Sequence, residues 1–330
     1  MATFTMRMDT HDWDSIKIER DILGEVDCEV LPLEFSNDQE LIDAVRHADA
    51  VLPRYVNLRR HHIEAMERCQ VIARSGIGWD IVDVDAATER GIWVTNAPDY
   101  CVEEVADHAA ALILASVRKL LPYQTDVRRG IWSWQAGKPV VRMSEAVFGL
   151  IGYGKIGREI WQRIKGFGSK GLIFDPFVSA EVIAHVGARA VGLEELLRES
   201  DIVHVQCPLT KDTHHLIAEP QLRLMKPSAV LTNAARGPIV DEAALYQALK
   251  EGRIAGAGLD DLEEEPAKVR GWRPTNPILQ LSNVIVTPHT AWYSESAVEE
   301  VKRISASEIA RVLSGREPLH PVNRPDRESP

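Results

Sequence analysis

Three ionisable residues of this 330-residue chain each stand just after an apolar run of strand-like composition: Arg236 in NAARGPIVDE, Glu265 in GLDDLEEEP and His289 in VIVTPHTAW. A planar guanidinium holds a carboxylate in two contacts, and an imidazole exchanges a proton near neutral pH more readily when a carboxylate favours its charged form. Together they could bind a small organic acid and move a proton on it. Taken singly, each has a plainer reading: Arg236 as a turn residue, His289 as a capping or packing residue, and Glu263 to Glu265 as a solvated acidic turn.

A second constellation supplies the missing chemistry. Gly152-Tyr153-Gly154-Lys155-Ile156-Gly157 follows the apolar run AVFGLI and opens a helical stretch, REIWQRIKGFG. In that context the first glycine allows a tight turn, the second lets backbone approach a pyrophosphate and the third lets helix and strand pack closely, while the helix start offers free amides to phosphate. The next strand, GLIFD, ends in Asp175, 18 residues beyond Gly157, about the spacing of the acidic residue that holds the adenosine ribose. Pro176, Phe177 and Val178 offer no cation for a 2′-phosphate, so the pattern favours NAD over NADP. A hydride delivered to a carbonyl leaves an alkoxide that needs an acid, which His289 could be.

These residues need an open parallel sheet, whose strand carboxyl ends share one edge, if they are to meet. From residue 27 to 97 short β-rich runs alternate with amphipathic stretches, and the alternation resumes from Ala146 to about His289. Between them, 102 to 121 read as one long helix, acidic at its start and basic near its end, and 122 to 145 as an irregular excursion carrying Trp132 and Trp134. A last helix spans about Ser294 to Leu313 and ends the ordered part at Gly315, ahead of a polar tail. The first residues, MATFTMRMDTHDWDS, are mixed and polar, without a secretory signal's apolar middle, which leaves a cytoplasmic location as the expectation.

Composition narrows the ligands. At 45% hydrophobic and 26% charged residues the chain is that of a two-domain soluble protein, with no apolar run long enough to span a bilayer. A formal net charge of −11 without a basic, aromatic-interleaved cluster argues against nucleic acid. The four cysteines, Cys28, Cys69, Cys101 and Cys207, lie far apart and read as reduced thiols; no metal site is expected, and the tandem pairs His61-His62 and His214-His215 have no other ligand near them in sequence.

At this point the chain resembles the D-isomer-specific 2-hydroxyacid dehydrogenase family over about residues 48 to 320, through RSGIGWD, NAPDYCVEEVADH, GLIGYGKIGRE, QCPLTKDTHHLI, NAARGPIVDE, EGRIAGAGLD and the TPH segment. TPHTAWYSESA is most similar to the C-terminal-binding-protein branch. The resemblance implies two doubly wound parallel-sheet domains with the active site in the cleft between them: a discontinuous substrate domain of 1–101 plus 294–330, flavodoxin-like, and a Rossmann NAD domain of 102–293. It implies that Arg236 binds the substrate carboxylate and keto oxygen, that His289 is the acid/base and that Glu265 hydrogen-bonds it, Glu265 being chosen over its neighbours because it precedes Pro266.

By the same resemblance the loop Ser75-Gly76-Ile77-Gly78 offers amides to the substrate carboxylate, and Cys207, Pro208, Thr213, Ala234, Ala235 and Asp260 line the cofactor, with Asp260 near the carboxamide. Trp292 would wall the substrate pocket, with core packing as its alternative. A small anionic 2-keto or 2-hydroxy acid is the implied substrate, and a homodimer, with 122 to 145 as the crossing arm, the implied assembly. A different class stays open: an NAD(H)-sensing scaffold that recruits protein partners, which would retain Arg236, Glu265 and His289. Formate dehydrogenase is disfavoured, because that group pairs its histidine with glutamine.

Overall fold

Residues 4–10, 13–265 and 273–325 are described in the computed structural model of the chain. They fall into two units, Met1–Tyr100 with Ser294–Pro330, and Cys101–Tyr293.

The first unit is built on β1 (Phe4–Met8), β2 (Cys28–Pro32), β3 (Ala50–Leu52), β4 (Val71–Ala73) and β5 (Trp93–Thr95), all parallel in the order β2-β1-β3-β4-β5. Parallel strands need crossover helices, which cover both faces of the sheet. One face packs Leu41, Val45, Ile63, Ala86 and Ala87; the other packs Leu23 with Ala306, Ile309 and Val312 of the helix Glu295–Leu313. Ser294 caps that helix by accepting from the Ala297 amide at 3.0 Å.

Two expectations change here. FTMRM, read as a polar start, is the inner strand β1, because Met6 and Met8 alternate into the core and are fully buried. The tail beyond Gly315 is not past the ordered part. Thr95 and Pro321 form an antiparallel bridge, the Val322 amide donates to the Val94 carbonyl at 2.7 Å, and the Asn323 side chain accepts from the Val94 amide at 2.7 Å. The tail thereby covers the free edge of β5.

The second unit carries β6 (Val147–Ile151), β7 (Lys170–Phe174), β8 (Ala188–Ala190), β9 (Ile202–Val205), β10 (Val230–Asn233), β11 (Gly256–Leu259) and β12 (Val284–Val286). All are parallel, in the order β12-β11-β10-β9-β6-β7-β8, so the winding reverses between β6 and β9. Such a reversal opens a crevice at the strand carboxyl ends, where ligands of open α/β sheets bind. The long helix stops early, at Val102–Val117, and a second spans Leu120–Arg128. Pro122 cannot donate back to Arg118, and Lys119 takes a left-handed φ of 56° while its ammonium donates to the Ala255 carbonyl at 3.0 Å. Among the described residues no helix is long and apolar enough to cross a membrane.

Candidate active site

The glycine motif occupies the turn between β6 and the helix Lys155–Lys165, beside the reversal. Gly152 has φ of 95°, and a Cβ there would lie 2.5 Å from the Gln206 carbonyl, just past β9. A Cβ on Gly157 would lie 2.4 Å from the Gly152 carbonyl, whereas around Gly154, the residue preceding the helix, nothing comes within 4 Å. Two glycines thus close the turn, and the third leaves open space at a helix N-terminus, the shape a pyrophosphate needs. Asp175, at the end of β7, accepts from the Tyr153 amide at 2.7 Å and the Phe177 amide at 2.9 Å. That fixes its carboxylate beside the turn with lone pairs left for ribose hydroxyls, and the residues fit an NAD molecule.

Past β9, Cys207 is half-buried and burial pushes its thiol up to about 11, so it packs rather than reacts. The Thr213 hydroxyl donates to the Pro208 carbonyl at 2.6 Å and closes that loop on itself. Past β10, the Asn233 amide group donates to the Arg236 carbonyl at 2.8 Å and its oxygen accepts from the Ala235 amide at 2.9 Å, which holds Ala234 and Ala235 in a tight turn. Arg236 leaves that turn half-buried, its guanidinium donating to the Ala235 carbonyl at 2.8 Å.

Past β12, His289 adopts a left-handed φ of 52°, a conformation costing roughly 1–2 kcal/mol that the surroundings must impose. They do so from three sides. The His289 amide donates to the Asp260 carbonyl at 2.6 Å, and its carbonyl accepts from the Trp292 indole at 2.8 Å. The buried Asp260 carboxylate accepts from the Thr287 hydroxyl at 2.6 Å and from the Thr290 and Ala291 amides at 3.0 and 2.9 Å. Asp260 is therefore the clamp of the histidine loop. His108 adds a contact to Thr287 at 2.9 Å.

Held in this way, the His289 ring places Nδ1 2.6 Å from Oε1 of Glu265, which is 7% exposed. Opposite an ionised carboxylate, Nδ1 is the ring atom that donates.

The model of the D-isomer specific 2-hydroxyacid dehydrogenase NAD binding domain matches residues 110–291. A glyoxylate reductase of Korarchaeum cryptofilum is 38% identical over 289 residues, covering 86% of this chain and 85% of that protein. The chain belongs to the D-isomer specific 2-hydroxyacid dehydrogenase family. That family comprises NAD-dependent oxidoreductases acting on the CH–OH group of 2-hydroxyacids. A D-3-phosphoglycerate dehydrogenase of Methanocaldococcus jannaschii is 38% identical over 315 residues; the match covers 95% of this chain and 58% of that protein, so the chain spans little more than half its length. In structure, a D-lactate dehydrogenase from Aquifex aeolicus complexed with NAD and lactic acid superposes with a TM-score of 0.85 at 28% identity, covering 94% of this chain and 96% of that one.

Within this family member the structure gathers Arg236, Glu265 and His289 on the carboxyl-edge loops of β10, β11 and β12, and the glycine motif with Asp175, Cys207 and Pro208 on those of β6, β7 and β9. Ser75 to Gly78 follow β4 in the other unit. There the Ser75 amide donates to the Pro53 carbonyl at 3.1 Å and the Gly76 amide to the Arg74 carbonyl at 2.9 Å, so both are engaged within their own unit.

Supports around these residues that the sequence did not disclose also come into view. Gly237 packs so closely on the β11 loop that a Cβ would lie 2.0 Å from the Leu262 carbonyl. Glu263 and Glu242 bracket each other: the Glu263 amide donates to a Glu242 carboxylate oxygen at 3.0 Å and the Glu242 amide to a Glu263 oxygen at 3.1 Å, with His215 against Glu263 at 2.7 Å. Asp261, beside the clamp residue, is 6% exposed; the second acid of LDD at a strand's carboxyl end was the available signal. The histidine pairs also gain carboxylates from afar, Glu263 for His215 and Asp38 for both His61 and His62. His62 has both ring nitrogens committed, Nδ1 accepting from the Arg59 amide at 3.0 Å and Nε2 meeting Asp38 at 2.8 Å.

Proposed function

We propose that the chain is an NAD-dependent D-2-hydroxyacid dehydrogenase working as a 2-keto acid reductase on small anionic substrates, with His289 as its acid/base. The observation that carries this reading is the 2.6 Å contact of His289 Nδ1 with the buried Glu265, on the sheet edge that also bears the glycine motif.

When bound, NAD supplies or accepts the hydride at C2 of the substrate. The chain's own residues do the rest. Arg236 pairs with the substrate carboxylate and keto oxygen through its planar fork. His289 gives its Nε2 proton to the oxygen that becomes hydroxyl in reduction and takes it back in oxidation, while Glu265 keeps the ring oriented and steadies the imidazolium. Asp175 selects NAD by accepting ribose hydroxyls and repelling a 2′-phosphate. Trp292, steered by its bond to the His289 carbonyl, walls the substrate side chain, in line with the resemblance of its segment to the C-terminal-binding-protein branch. Asp260, whose oxygens hold the histidine loop, acts near the carboxamide through that loop.

A homodimer fits the same reading. Trp132 and Trp134 are 91% and 67% exposed, and Leu120, Val127 and Ile131 lie bare near them in sequence, an apolar surface a second copy would cover. Light scattering at micromolar protein should give twice the 36.8 kDa chain mass; a single chain mass rejects the dimer.

The test follows NADH absorbance with glyoxylate, hydroxypyruvate, pyruvate and longer apolar 2-keto acids. Oxidation of NADH by one or more of them, lost in His289→Ala and not reproduced with NADPH, is the expected result. Silence across the panel with NADH still bound would replace the enzyme by the NAD(H)-sensing scaffold.

A further inference from the structure

Asp261 has no place in the chemistry so far, yet it lies against it. Its side chain is 4% exposed, and Oδ2 stands 3.9 Å from Nδ1 of His289, the ring atom that Glu265 already contacts. The same Oδ2 accepts from the Gly237 amide at 3.3 Å, on the residue after Arg236. Oδ1 is buried and has no hydrogen-bond partner among the described residues. One oxygen of Asp261, one of Glu265 and Nδ1 of His289 all lie within 4.8 Å of one another.

We propose that Asp261 is a positioning residue for His289: a second carboxylate that, with Glu265, brackets the Nδ1 edge of the imidazole. This rests on the reading of His289 as acid/base. A buried carboxylate with a bare oxygen is costly for packing alone, but beside a ring that alternates between neutral and charged it has a partner for its charge. Burial raises the Asp261 carboxyl above the usual range; the His289 and Arg236 charges act against that, Glu265 acts with it, and the Gly237 amide favours the ionised form. The groups facing Asp261 are thus His289 from the β12 loop, Glu265 from its own loop, and Arg236 with the Gly237 amide from the β10 loop. Coupling of this kind is reciprocal: an ionised Asp261 favours the imidazolium as strongly as the imidazolium favours ionised Asp261. Asp261 and Glu265 therefore act on the same edge of the same imidazole.

The experiment compares wild type, Asp261→Asn and Asp261→Val by the pH dependence of kcat/KM for keto acid reduction. A second readout is the pH dependence of oxamate binding to the NADH complex, followed by fluorescence, which needs no turnover. NADH binding and the far-ultraviolet circular dichroism of each variant report its folding, and Asp261→Asn keeps the side-chain shape should Asp261→Val not fold. Expected are a fall in kcat of about tenfold with KM nearly unchanged, and alkaline limbs of both profiles displaced to lower pH by about half a unit or more. Profiles of Asp261→Asn that superimpose on wild type in both readouts overturn the proposal for Asp261 while His289→Ala remains inactive. Wild-type turnover in His289→Ala would instead remove the acid/base reading and, with it, this one.

Discussion

His289 Nδ1 and Glu265 Oε1 approach to 2.6 Å although 24 residues separate them, because the loops after β12 and β11 leave adjacent strands of one parallel sheet. The contact engages the Nδ1 edge of the ring. Replacing Glu265 by Gln keeps an oxygen to accept the Nδ1 proton but removes the charge, so kcat for reduction should fall about 10- to 100-fold. Replacing His289 by Ala should cost on the order of 10²- to 10⁴-fold, the usual span of general acid catalysis. Steady-state rates with NADH and the best keto acid of the panel measure both; equal losses for the two variants would contradict a supporting role for Glu265.

The glycine turn separates folding from cofactor binding. Gly154→Ala enters open space with an ordinary φ of −72° and should leave thermal unfolding within a degree or two while weakening NADH. Gly152→Ala meets a backbone carbonyl at 2.5 Å at φ of 95°, and should lower the unfolding temperature by several degrees even without NADH. Thermal melts with and without NADH distinguish the two.

Glu263 is tied to the chain around it from two sides. Its mutual bracket with Glu242 holds the segment that ends in Glu265. Glu263→Ala should reduce kcat about tenfold with little change in NADH affinity, read from steady-state kinetics beside a fluorescence titration with NADH. A loss of NADH affinity larger than the loss of kcat would contradict this role.

His204, fully buried in β9, meets Thr232 at 2.8 Å and Gln206 at 3.1 Å, and burial holds its imidazole down to about 4. The unfolded chain takes up a proton near 6.5 and the folded one does not until about 4, so stability is intact above 6.5 and declines as pH falls through that window. The decline attributable to this residue is on the order of 3 kcal/mol. Urea unfolding of wild type and His204→Gln between pH 7 and 4.5 should show a shallower decline in the variant; parallel curves would refute it.

What the sequence determined by itself was whatever depends on spacing along one segment. GYGKIG and the acid 18 residues on are a strand, a turn, a helix and the next strand read in order, and Arg236, Glu265 and His289 each declare themselves by ending an apolar run. Parallel topology then brings strand ends to one edge without further information. The inner strand β1 escaped because methionine is a weak strand signal and only Met6 and Met8 mark its buried face. The two helices at 102 to 128 read in sequence as one helix plus a loop, because a left-handed Lys119 ahead of Pro122 depends on a carbonyl 136 residues away.

Tertiary structure alone decided the supports of the site: the Asp260 clamp, the Glu242–Glu263 bracket, the Gly237 approach and Asp261 beside His289. Each is a contact between loops from different strands, set by angstrom-scale approach rather than residue type, and many acids in many turns share the same local sequence without such neighbours. Burial is the physical reason. A carboxylate acquires its role from how far its water has been removed and which charges replace it, and both depend on the packed loops around it.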